Sequence, residues 1–231
     1  MLFNKVEVLG VEKHEDVRFL QQNSFEFAQK VHIVPLGASE VIIASRFYPI
    51  VFIDKVPAYP HALLSLVPGH NAYVKDGKWL VPYVPAYIRQ YPFTIRKVEG
   101  DDDKGVLCLV PDAPHFNKEQ KGEPLFKADG SLSDFMQRTK DFCLRFIQDL
   151  EKAKMLFDPL KEKGIIAPWK VNLKVQDKSV PLSGLEIVSE DKLKQVEPED
   201  LKKWMENGTM SLIYGHLFSL ANISRLGVPS K

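Results

Sequence analysis

The chain of 231 residues has only two cysteines, Cys108 and Cys143, and they lack the CxxC spacing of a metal or redox site. A disulfide framework or zinc ribbon is therefore not expected, and both are read as reduced core residues. Nor is there an excess of one charge. With 31 Lys+Arg against 30 Asp+Glu the net charge is +1, so the concentrated positive charge that draws in nucleic acid or anionic lipid is missing. Long apolar runs are missing too. The longest, such as Val41-Ile42-Ile43-Ala44 and Ile50-Val51-Phe52-Ile53, fall far short of the roughly 20 residues that span a bilayer. Lys5 and Glu7 interrupt the place where a secretory signal would need its apolar core. The expected location is the cytoplasm, with signal-independent export to the cell surface left open.

Several chemistries lack their signatures. No GxSxG, Walker A loop or GxGxxG is present, and the histidines His14, His32, His61, His70, His115 and His216 show no HExxH or HxH spacing. Asp101-Asp102-Asp103 does not fall into the alternating register of a calcium loop with its Gly and Glu. Accordingly no metal, cofactor or catalytic residue is assigned, and the leaning is away from an enzyme.

What is there is a composition of 45% hydrophobic and 26% charged residues, which sustains a packed core. The expected class is α+β: a β-rich N-terminal half with hairpins, and a helical C-terminal half carrying a further small hairpin. We divide it into an N-terminal extension (1–29), a β-rich region (30–112), a connecting loop (113–130) and a mainly helical region (131–231) with a hairpin at 169–188. All of these could pack as one compact domain. Asp76-Gly77 between two apolar runs is a strong hairpin signal, since both residues tolerate positive φ. A second hairpin is expected where Phe93–Val98 and Val106–Val110 bracket a solvated polar loop, Glu99 to Gly105. The segment Ala38–Phe47 reads as a short helix or a buried strand, and Pro49 as the start of the strand through Ile53.

Ser131 or Ser133 can cap a helix whose apolar residues, Leu132, Phe135, Met136, Phe142, Cys143, Phe146, Ile147 and Leu150, step largely by three and four along one stripe. Pro159 leaves open whether this is one helix or two. Trp169, Val171, Leu173 and Val175 alternate as in a strand, Asp177-Lys178 can turn, and Leu185–Val188 follows. Ser189 and Pro198 open short helices, the second ending at Asn207-Gly208. A terminal helix, Thr209 to Leu226, is apolar around most of its circumference. It belongs in a core or an interface, with Met210, Leu217, Phe218 and Leu220 as interface candidates.

The segment 79–93 concentrates Trp79, Tyr83, Tyr87, Tyr91 and Phe93 around Arg89. Aromatic faces and a guanidinium can hold a planar or anionic ligand by stacking and paired hydrogen bonds; the same residues can equally cement a core. An arginine enclosed by aromatics needs an anionic partner, and Glu40 is the expected one.

Several segments together resemble the bacterial SapC family, in the same order along residues 30–226: His32-Ile33-Val34-Pro35-Leu36 with Glu40, Tyr48-Pro49-Ile50-Val51-Phe52, Asn71-Ala72-Tyr73-Val74 with Trp79, Tyr83 to Phe93, Gly122 to Phe126 with Asp129-Gly130, and Tyr214 to Leu220. Tyr83 to Phe93 is the most specific of them. The family is named for a locus associated with a surface layer, and no established reaction or catalytic residue comes with the resemblance. This chain has Gln90 where a second arginine is frequent, and Pro111 before Asp112. Two functions are carried forward. One is a non-enzymatic structural or interaction protein linked to the cell envelope or surface layer, acting through a protein partner or self-association. The other is a small-molecule binding protein or enzyme whose pocket lies around Glu40, Trp79, Tyr83, Tyr87, Arg89 and Tyr91.

Overall fold

In the computed structural model, residues 2–54, 57–98, 101–169, 172–175, 178–181 and 184–226 are described. The chain folds as α+β. Its largest sheet has five strands in the order Ile166–Pro168, Leu185–Val188, Ile50–Ile53, His61–Leu63, Ile33–Pro35, all paired antiparallel. Two of these strands come from the C-terminal half and lie side by side at one edge, so the sheet joins both halves of the chain where Leu185–Val188 pairs with Ile50–Ile53. A three-stranded sheet places Asp101–Leu109 between Glu7–Val8 and Phe93–Val98. A smaller one sets Arg18–Phe19 between Phe116–Asn117 and Glu123–Pro124. The turn-rich connection after Val110 is thus partly strand, tied to the N-terminal segment.

Local signals explain most element ends. Asp76 and Gly77 take φ of 50° and 70°, closing the hairpin of Val74–Lys75 with Lys78–Trp79; positive φ at both turn residues matches the right-handed strand twist. Ser133 caps a single helix, Asp134–Glu162, by accepting the Met136 amide. Pro159 lies within its last turns, and Gly164, at φ 67°, follows the end. Ala38–Phe47 resolves as helix, a 3₁₀ turn Ala38–Glu40 running into Val41–Ala44. Pro198 starts the helix Pro198–Glu206, and Gly208 at φ 83° separates it from Thr209–Ser219. The last stretch tightens to a 3₁₀ helix over Leu220–Arg225.

Two expectations are corrected. The aspartates 101–103 do not form a loop tip; their backbone belongs to the nine-residue strand Asp101–Leu109, leaving only residues 99 and 100, outside the described set, between the strands. Asp101 pairs with Val98 and the ladder resumes at Gly105 opposite Lys97 across a register shift, so the partner strand brackets the run at both ends; β preference depends on the neighbouring strand more than on the residue. The unit expected after Pro168 also splits. Asn172–Val175 pairs with Lys178–Pro181 as a hairpin; of the expected turn, Lys178 belongs to the second strand and Asp177 lies outside the described residues, whereas Leu185–Val188 leaves the hairpin to join the large sheet.

The long helix joins two cores. Its N-terminal half sends Met136 and Cys143 into a cluster with Phe19, Phe93, Ile95 and Leu109, and its C-terminal half sends Ala153, Phe157 and Leu160 into the larger cluster beneath the five-stranded sheet. Between these two ends the helix passes over a seam, and there it meets the segments around Glu40 and Arg89.

Candidate functional site

Glu40 sits in the seam at 4% exposure. The 3₁₀ turn that carries it brings its Oε2 to the Gly37 amide at 3.0 Å, so the side chain closes its own turn. Pro85 then starts a one-turn helix, Ala86–Arg89, whose first amide donates to Glu40 Oε1 at 2.7 Å; the Tyr83 hydroxyl donates to the same oxygen at 2.7 Å. Burial raises the Glu40 pKa above the ordinary carboxyl value, while these donors and the nearby Arg89 charge pull it back in part. Burial likewise raises the Tyr83 pKa, and the adjacent Glu40 charge adds to the rise.

Arg89 departs from expectation. Its guanidinium is exposed and, among the described residues, forms no ion pair, with Glu40 or any other carboxylate. Nε donates to the Val84 carbonyl at 2.9 Å, and the cation lies 5.9 Å from the Tyr83 ring centre and 5.2 Å from that of Phe142. A guanidinium that keeps its water needs no buried anion. Glu40, for its part, meets its burial with two backbone amides and a phenol, none of them charged.

The remaining aromatics of the 79–93 segment divide. Trp79 Nε1 donates to the buried Tyr48 hydroxyl at 2.8 Å, and that hydroxyl donates to the Tyr83 carbonyl, so Trp79 supports Tyr83 from behind. Tyr87 meets Phe3 and Phe146 edge-on. Tyr91 stacks on Phe27 with centroids 4.3 Å apart.

The facing wall comes from the long helix. Ser39, Glu40, Tyr83, Ala86 and Arg89 on one side, and Phe142, Arg145, Phe146 and Asp149 on the other, line a cleft of about 350 Å³. Asp149 fastens the two sides: it accepts the Ser39 hydroxyl at 2.6 Å and the Ser39 amide at 3.1 Å. Its carboxylate lies so close to Gly37 that a Cβ there would be 2.1 Å from Oδ2; only glycine leaves it room. A second depression, about 340 Å³, adjoins the first. Arg89 and Phe142 line both, and Gln21, Tyr91, Phe135 and Arg138 are among the other residues of the second.

Of the expected pocket residues, then, Glu40, Tyr83 and Arg89 meet in one cleft, Tyr91 joins Arg89 in the next, and Trp79 and Tyr87 line neither. Arg138, Arg145 and Asp149 escaped the sequence reading. The available signal was their helical spacing with Phe142, which places Arg138, Phe142, Arg145 and Asp149 on one face. Nothing in the sequence said what that face would meet.

The interface candidates lie on the helix Thr209–Ser219 and the turn after it. Leu212, Ile213 and His216 point inward, Met210, Leu217 and Leu220 are half-buried, and Phe218 is 75% exposed beside Tyr214. His216 is wholly buried, with Nε2 accepting the Val188 amide at 3.0 Å; burial pushes its pKa down to about 3. Among the described residues no three His, Cys, Asp or Glu side chains gather where they could hold a metal ion, and no helix is long and apolar enough to cross a membrane.

Fold and seam together define an α+β protein with an arginine-bearing aromatic cleft. The SapC family model matches residues 9–226 of the chain, and the protein belongs to that family. No curated protein and no solved structure matches it.

Proposed function

We propose that this SapC-family protein binds a small anionic ligand, without chemical transformation, in the cleft between the 83–89 segment and the long helix. The observation that carries the reading is Arg89. Its cation is fixed by the Val84 carbonyl, is flanked by the faces of Tyr83 and Phe142, and forms no ion pair among the described residues. A preset guanidinium between two aromatic faces can hold a carboxylate or phosphate and stack the apolar remainder of the same molecule. Glu40 acts here as a positioning residue, since its carboxylate holds the Tyr83 hydroxyl and the Ala86 amide and so sets the wall that carries Arg89.

The test is a thermal-shift screen of small anions against matched neutral amides. Anions should raise the Tm, and Arg89→Met should abolish the rise while leaving the ligand-free Tm near its original value. Shifts that persist unchanged in Arg89→Met would refute the reading.

A structural or interaction role at the cell envelope is the second reading. It is favoured by one observation, the exposed apolar face of Met205, Tyr214 and Phe218. Sedimentation over a range of concentrations tests it: a concentration-dependent mass would support it, and a constant monomer mass would count against self-association.

A further inference from the structure

Resting on the anion-binding reading, we infer that the ligand is an elongated dianion with an apolar middle, laid along the long helix across both depressions. Arg89 and Arg145 would hold one end and Arg138 the other. The two depressions adjoin at Arg89 and Phe142, which line both, so a ligand spanning them would pass over that pair. Arg138, Phe142 and Arg145 are spaced four and three residues apart on the helix Asp134–Glu162, so the ring lies between the two cations on one face. Seven residues of helix set the arginine backbones about 10 Å apart along the axis.

Charge and surface follow the same plan. Arg138 and Arg145, like Arg89, are exposed and form no ion pair among the described residues. The carboxylates in the groove are otherwise engaged: Glu40 takes three neutral donors, and Asp149 takes the Ser39 amide and hydroxyl. Glu40 and Asp149 line the first depression and, among the described residues, no carboxylate lines the second, so the three unpaired cations outnumber the anions of the groove and each half keeps a cation for a negative group on the ligand. Between them the surface is aromatic, with Tyr83 and Phe146 in one half and Tyr91 and Phe135 in the other. An apolar body loses water against these rings.

Linear dicarboxylates provide the probe. Nonanedioate separates its carboxylates by roughly the 10 Å between the arginine positions, nonanoate keeps the chain with one charge, and butanedioate keeps both charges without the span. Titration calorimetry on the full chain should show nonanedioate binding about fivefold more tightly than nonanoate, the worth of one well-formed exposed arginine–carboxylate pair. Arg138→Gln should bring nonanedioate down to the level of nonanoate while leaving nonanoate unchanged. Arg145→Gln should weaken both dianions.

Equal affinity for nonanedioate and nonanoate, or an Arg138→Gln protein that still prefers the dianion, would overturn the inference and leave the single-anion reading of the cleft in place. Failure of every carboxylate to bind would overturn the inference, and failure of inorganic phosphate as well would overturn the anion-binding reading. Circular dichroism of the two glutamine variants guards against misfolding, and since both arginines are exposed their spectra should match that of the parent.

Discussion

Replacing Tyr83 with phenylalanine removes one hydroxyl and keeps the ring that faces Arg89. The lost bond is the 2.7 Å donation to Glu40 Oε1, and its value depends on whether Glu40 is charged. A hydrogen bond to an ionised group contributes about 1.5–3 kcal/mol, and one between neutral partners about 0.5–1.5 kcal/mol. With Tyr83 half-buried, values near the middle of each range apply, about 2 kcal/mol with Glu40 ionised and about 1 kcal/mol with it protonated. Burial raises the native Glu40 pKa above the ordinary 4.5. The folded protein therefore holds that proton to higher pH than the unfolded chain does, and stability drains as pH rises from about 4.5 through the raised native value. The Tyr83 hydroxyl opposes this rise. Without it the native pKa climbs further and the drain deepens.

Urea unfolding followed by tryptophan fluorescence at pH 4 and pH 8 measures the effect. Tyr83→Phe should cost about twice as much at pH 8 as at pH 4, and in a Glu40→Gln background the cost should no longer depend on pH. A penalty equal at both pH values, or larger in acid, would refute the assignment of Glu40 as the acceptor whose charge matters.

Gly37→Ala must push aside an Asp149 carboxylate that would sit 2.1 Å from the new Cβ. Losing its two bonds to Ser39 should cost about 1–3 kcal/mol, and in an Asp149→Ala background the same substitution should add little; additive costs in chemical denaturation would show that the two residues do not meet. His216, kept neutral by burial with a pKa near 3, should make the fold lose stability as pH falls from 6.5 toward that value, because the unfolded chain takes up the proton first. His216→Gln should flatten that fall by about one proton, and an unaltered slope would show that another group is responsible. Phe218→Asp should change stability by no more than about 0.5 kcal/mol, since the ring is 75% exposed; a larger loss would mean that a second molecule covers this face in solution.

Much of the backbone was legible in the chain itself. Asp76-Gly77 specified a hairpin, Ser133 and Pro198 specified helix starts, and Gly208 a stop, because each acts through the conformational preferences of one or two residues and their nearest amides. Free buried cysteines and an inward stripe on the long helix followed from composition and period in the same way. The aspartate run at 101–103 went the other way: its place in a strand depends on a partner strand, which no local preference records. The site belongs to that second kind of information. Glu40 finds Tyr83 across 43 residues and Ser39 finds Asp149 across 110, and only packing of the long helix over the seam between two cores brings Arg138 and Arg145 beside Arg89. The sequence supplied an arginine among aromatics and a carboxylate elsewhere. Whether they would pair was a matter of solvent exposure, which tertiary packing sets: the guanidinium stayed in water, and the carboxylate, taken out of it, was met by amides and a phenol.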